Sequence, residues 1–351
     1  MIELKGDVLE LSFPEVHPHC KMSVEFQRTL RIPDDGKSYP LPPGLGRFPI
    51  RHVDDHAEKV PALWRKHGGV MLPMFETEAL WLNFSGHYVP GHGVQWPFAL
   101  KIAAGKRNAV DGEAWNEKLI GGRKQDYVAI PLQPWLDGFF AGKGKIRQFV
   151  AMQMGRGYTV EEQLTGSAEH GGLQLVAYPM KKEEFVRRFP KLPPQPARRS
   201  RMVAPMSMSA PMPCAPADSF APDMGLAAGG SMKQEIFDDE FPLDAYDLDA
   251  KSRCFVHLCN AMVWQHITGA PPPTVAPTAA QYEAAGLPWF DYKDGGASAK
   301  SGPTLLDKVK SIVGFGAAKG EKPLPENQSV DADVVVPLSK PTPDAVRDGE
   351  F

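Results

Sequence analysis

Histidine and cysteine offer the most chemistry in this chain, with ten of the first and four of the second in 351 residues. The tightest group is His17-Pro18-His19-Cys20. Proline stiffens an extended piece, and imidazoles two residues apart on it point to one side, as a shared divalent metal such as zinc requires. Cys20 is then a third candidate ligand. His87 and His92 bracket the loop GHYVPGHG, from which both can reach a cleft, and His52 with Asp54, Asp55 and His56 pairs carboxylates with imidazoles at a helix start. A mononuclear site drawn from His17, His19, Cys20, His87 and His92 would make this a metal-dependent hydrolase or oxidoreductase. The plainer account is a polar turn after Pro14, solvated loop histidines, and Asp54 or Asp55 as a helix N-cap. No second cluster at fixed spacing completes the metal set, so the leading expectation is that no cofactor is bound.

The remaining constellations are weaker. In CFVHLC, His257 and Cys259 share one side of a strand and Cys254 takes the other, which suits buried thiols and a core histidine better than a shared metal. The acidic run Asp238 to Asp249 lacks the glycine and terminal glutamate of a calcium-binding hand and is expected to be a solvated loop or acidic contact surface. Glu161 and Glu162 resemble an acid–base pair, but neighbours on a helix point apart and Glu162 has the spacing of a capping box with Thr159. No nucleophile elbow, Walker loop or GxGxxG fingerprint occurs. Trp81, Trp96, Trp135 and Trp289 can line a sugar or ligand groove, a use that needs two coplanar exposed indoles; core packing is their commoner use.

The elements that must position these groups are mostly strands. Residues 2 to 32 alternate in polarity, with Leu9, Leu11 and Phe13 against Glu10 and Ser12, and Val24 and Phe26 against Ser23 and Glu25. KIRQFVAMQMGRGYTVEEQLTGSAEHGGLQLVAYPM, residues 145–180, reads as two strands around a capped turn of helix that Gly166 ends. A helix over 54–67 is limited by Pro61 and stopped by Gly68-Gly69, and PDDGKSYPLPPGLGRFP is a long irregular excursion. The predicted class is mainly β with some α: a sandwich-like antiparallel sheet domain over 1–189, then a small α+β lobe over 233–315 that packs on it. Residues 190–232, rich in Pro and Met, form a flexible connector, and 316–351 a polar tail. A final amphipathic helix is expected over Thr304 to Val313.

Composition excludes several classes. With 39 basic and 42 acidic residues the net charge of -3 provides no field for nucleic acid. No apolar run approaches a membrane span and Met1-Ile-Glu-Leu-Lys-Gly-Asp is not a signal peptide, so no membrane role and a cytoplasmic location are expected. Four cysteines without framework spacing fit reduced thiols.

The stretches RIPDDGKSYPLPPGLGRFPIRHVDD, FALKIAAGKRNAVDGEAW, QPWLDGF, RQFVAMQMGRGYTVEEQLTG with AEHGGLQLVAYPM, and GLPWFDYKD resemble a widespread bacterial and fungal family for which no activity is established. The resemblance implies no catalytic residue. Some members carry a membrane-protein label, from which this chain departs. The leading expectation is therefore a non-catalytic binding or structural protein that associates with itself or another protein, through Tyr39, Arg47 and Arg51 and through Met206, Met208 and Met212 of the connector. The alternatives are the metal-dependent enzyme and a carbohydrate or peptide receptor.

Overall fold

The computed structural model describes residues 1–192, 221–292, 298–302 and 304–338. Its long strands are β1 Leu9–Ser12, β2 Lys21–Thr29, β3 Val70–Met74, β4 Ala79–Gly86, β5 Phe98–Ala104, β6 Ile146–Gln153, β7 Leu173–Pro179, β8 Asp223–Met232 and β9 Ser252–Asn260. Alternation dictates how they lie. In β2, Met22, Val24 and Phe26 are fully buried while Ser23, Glu25 and Gln27 are half-buried on the outer face.

The strands β1-β2-β4-β6-β8 form one antiparallel arm. A second arm runs β5-β7-β9, also antiparallel, with β3 added to β9 in parallel. The arms join where Asp223 and Met224 pair with Cys259 and Leu258. Val24, Phe26, Leu82 and Phe149 of the first arm share one hydrophobic core with Leu100, Ile102, Leu175 and Val256 of the second, the arrangement of a sandwich. The fold is mixed α+β. A smaller lobe carries the short parallel pair β10 Trp289–Tyr292 and β11 Val335–Leu338, with its own core of Tyr39, Leu41, Tyr282, Trp289 and Val330.

Six short helices sit at the sheet ends: α1 Ala62–His67, α2 Val160–Thr165, α3 Lys182–Arg188, α4 Ala261–Thr268, α5 Ala279–Ala284 and α6 Ile312–Ala318. The capping box of Thr159 and Glu162 opens α2, and Gly166 closes it in the left-handed region. Helix α1 starts directly after Pro61 and stops at Gly68. Asp54 and Asp55 lie inside a 3-10 turn whose N-cap is Val53, so neither caps it.

Three boundaries differ from the sequence expectation. The connector expected to reach residue 232 ends sooner, since 223–232 is β8 and is largely buried against β6. Asp223–Met232 and Ser252–Asn260 both belong to the main sheet; what is set apart from it is the parallel pair. The single helix expected over 304–313 is instead a 3-10 turn, Leu305–Lys308, and α6, which begins after the N-cap Ser311. Residues 316–338 are not a free tail, because Val330 and Ala332 are buried and β11 pairs with β10. Met206, Met208 and Met212 lie outside the described residues.

A buried ion pair ties the long excursion after β5 to the sheet. Lys101 is 1% exposed, and its Nζ donates to Asp126 Oδ2 at 2.6 Å, to the Lys118 carbonyl at 2.6 Å and to Asn116 Oδ1 at 3.1 Å. Its donors are fully used. Asp126 Oδ1 accepts the Ile120 N–H at 2.9 Å, which closes the loop on itself. Lys101→Met leaves Asp126 buried without its cation and is expected to lower unfolding free energy by about 3–5 kcal/mol in urea titrations.

Candidate functional site

The outer face of the first arm collects planar polar and aromatic side chains that sequence spacing does not reveal. Glu25 and Gln27 of β2 stand opposite Asn83 and Trp81 of β4. The short strand Trp135–Leu136 then places Trp135 opposite Asn83. Cross-strand partners share a face, so Trp81 and Trp135 flank Asn83 as diagonal neighbours, about 7 Å apart at their bases. Arg47, on the strand Gly44–Arg47 beyond β2, pairs with Gln27 in register and with Glu25 through a 2.9 Å ion pair. Glu25 Oε2 also accepts the amides of Gln27 at 2.8 Å and Asn83 at 3.4 Å.

A cleft of about 340 Å³ opens above this face, walled by Pro42, Pro43, Trp81, Trp135, Asp137 and Phe290. Tyr292 packs edge-on against Trp135 at 4.7 Å and fixes its ring. The Trp81 indole N–H is buried and has no hydrogen-bond partner among the described residues. Asp137 is 4% exposed. Gln234 grips it twice, its Nε2 donating to Asp137 Oδ2 at 3.0 Å and its Oε1 accepting the Asp137 N–H at 3.1 Å. Burial nevertheless pushes this carboxyl up to about 7, the Trp135 and Gln234 side chains countering only part of the cost. A carboxyl that titrates at neutrality inside an aromatic cleft is a mark of a functional site.

The histidines expected to hold a metal scatter into other roles. His17 stacks on Trp96 at 5.1 Å, Trp96 stacks on Phe185 at 4.0 Å, and His92 leans on the same phenyl ring with Nδ1 2.6 Å from the Phe189 carbonyl. His19 lies against His17. Cys20 is fully buried in the core, where desolvation drives its thiol far up. His87 faces Glu10 at 3.6 Å, apart from the others. Among the described residues no three His, Cys, Asp or Glu side chains are placed to hold a metal ion.

A different trio gathers. His67, Phe255 and His257 stack with ring centroids 4.3 to 5.9 Å apart, and Trp64 covers His257 at 4.7 Å. Burial holds His257 down at about 3, neutral, with Nε2 3.1 Å from the Gly68 carbonyl. Cys254 faces the main core and Cys259 the Trp64 side, as strand alternation requires. Glu161 and Glu162 prove to be loop holders. Glu161 accepts the backbone N–H groups of Glu169, His170 and Gly171, and Glu162 those of Gly155, Gly157 and Thr159. In the acidic run, Asp239 accepts the hydroxyls of Tyr127 and Tyr246, so it is partly turned inward.

Of the expected contact residues, Tyr39 is buried with its hydroxyl on Asp35 at 2.7 Å, and Arg51 lies 3.6 Å from Asp7. Arg47 pairs with Glu25 on the outer face of the first arm. Trp96 and Trp289 are core residues, while Trp81 and Trp135 keep partial exposure. Compared with protein-family models, characterised proteins and solved structures, the chain finds no match. Among the described residues no helix is long and apolar enough to cross a membrane.

The Asp137 carboxyl binds its proton more tightly folded than unfolded, about 7 against 3.8. Its contribution is therefore complete below pH 3.8 and is lost as pH rises toward 7, at about 1.4 kcal/mol per unit. Asp137→Asn, which stays neutral, is expected to gain stability over wild type at pH 8 relative to pH 5, measured by urea melts at both.

Proposed function

We propose that this is a binding protein whose ligand is a saccharide or a similar polyhydroxylated ring, seated over Trp81 and Trp135. The observation that carries this reading is the placement of two partly exposed indoles on one sheet face, one to each side of Asn83. Indole faces match the C–H face of a sugar ring. The planar amide of Asn83 matches its neighbouring hydroxyls, and Asp137 supplies an acceptor at the cleft wall. A proline-rich peptide would be met by aromatic rings with fewer carboxylates and amides around them.

A glycan array followed by calorimetry tests this. Trp81→Ala and Trp135→Ala should each weaken the captured saccharide about tenfold with unchanged melting, as one lost stacking contact predicts. Absence of any saccharide binding, or affinity indifferent to both substitutions, sinks the assignment.

A second reading, protein association, is favoured by β11. Val335, Val336 and Leu338 are 42%, 40% and 39% exposed, and among the described residues the strand pairs with β10 alone. An apolar strand with an open edge can add a strand from another chain. Val336→Lys is expected to abolish concentration-dependent association in sedimentation velocity; a monomer at all concentrations, with no partner strand bound, removes this reading.

A further inference from the structure

At the Lys101 anchor lies a larger cavity of about 850 Å³, walled by Lys101, Asp111, Arg123, Lys124, Asp126 and Lys300. Two of its lysines are buried, and they differ sharply. Lys101 has all its donors satisfied at 2.6 to 3.1 Å. Lys300, 6% exposed, has among the described residues a single long hydrogen bond, 3.4 Å to the Arg123 carbonyl, and no ion pair. Its position is not loose: the Lys300 N–H bonds the Ile236 carbonyl at 2.7 Å, Ala299 bridges Phe237, and Nζ sits 5.9 Å from the Phe140 ring. A fixed, buried and under-partnered amine calls for an explanation.

We propose that Lys300 is a nucleophile that forms a reversible imine with a small oxo acid admitted to this cavity, and that Asp111 serves as its proton donor and acceptor. The proposal stands apart from the saccharide cleft. Both line the cavity, and desolvation lowers Lys300, against the pull of Asp111, and raises Asp111. Arg123 and Lys124, exposed at the wall and without ion-pair partners among the described residues, suit the carboxylate of the ligand.

In the step, the Lys300 lone pair attacks the carbonyl carbon and the carbonyl oxygen takes the Asp111 proton. The carbinolamine then gives an N–H proton to the Asp111 carboxylate. That proton passes to the hydroxyl, which leaves as water while the C=N bond forms. Amine and carbonyl thus give imine and water with no change of oxidation state.

The test is incubation of the full chain with glyoxylate and cyanoborohydride at neutral pH, followed by peptide mapping. The expected result is a carboxymethyl group concentrated on Lys300, lost in Lys300→Arg, and formed at least tenfold more slowly in Asp111→Asn of unchanged melting temperature. Label spread over Met1 and the exposed lysines, with none preferred at Lys300, overturns the proposal. Label on Lys300 at an undiminished rate in Asp111→Asn overturns the role given to that carboxyl.

Discussion

The pairing of β8 with β6 is the contact on which the rest of the structure depends. It covers the otherwise open edge of the first arm, and the first two residues of β8 carry the hydrogen bonding across to β9 and so to the second arm. Elsewhere the arms meet through apolar side chains and through isolated backbone bonds such as Phe140 N–H to the Ala109 carbonyl. Close approach is built into the strand. A Cβ on Gly230 would lie 2.3 Å from the Pro33 carbonyl oxygen, so a larger residue there would push the strand off its neighbours.

Hydrophobic alternation made the first half of the fold legible. The inward Val24 and Phe26, the Thr159–Glu162 capping box and the helix ends at Gly68 and Gly166 all follow from local patterns that the tertiary structure keeps. β8 was illegible for a physical reason. Its sequence, Asp-Met-Gly-Leu-Ala-Ala-Gly-Gly-Ser-Met, lacks β-branched residues and resembles the composition of the preceding connector. Its stability as a strand comes from β6 and not from its own preferences. Residues 316–338 misled in the same way, since Val330 and Ala332 become core only because Tyr282 and Trp289 wait for them.

The candidate cleft was legible only as a set of names. Trp81 and Trp135 could be singled out, but their shared face depends on registers between β4 and a two-residue strand 50 positions later, which no local pattern encodes. Asp137 carried no signal at all; its hold on a proton arises from the walls that exclude water, and Gln234, almost a hundred residues away, offsets only part of that cost. Histidine spacing misdirected for a related reason. The imidazoles at 67 and 257 are brought together by β3 lying parallel to β9, whereas His17 and His19, close in sequence, meet each other against Trp96 with no third ligand group among the described residues.

Asn260 is the last residue of β9 and also the N-cap of α4, its side chain accepting the Met262 N–H, so strand passes into helix without an intervening joint. Mechanically this makes the helix a lever welded to the sheet. A push on its exposed side would be passed as torque into a strand gripped by three others, and the region should yield as one rigid piece instead of unfastening turn by turn.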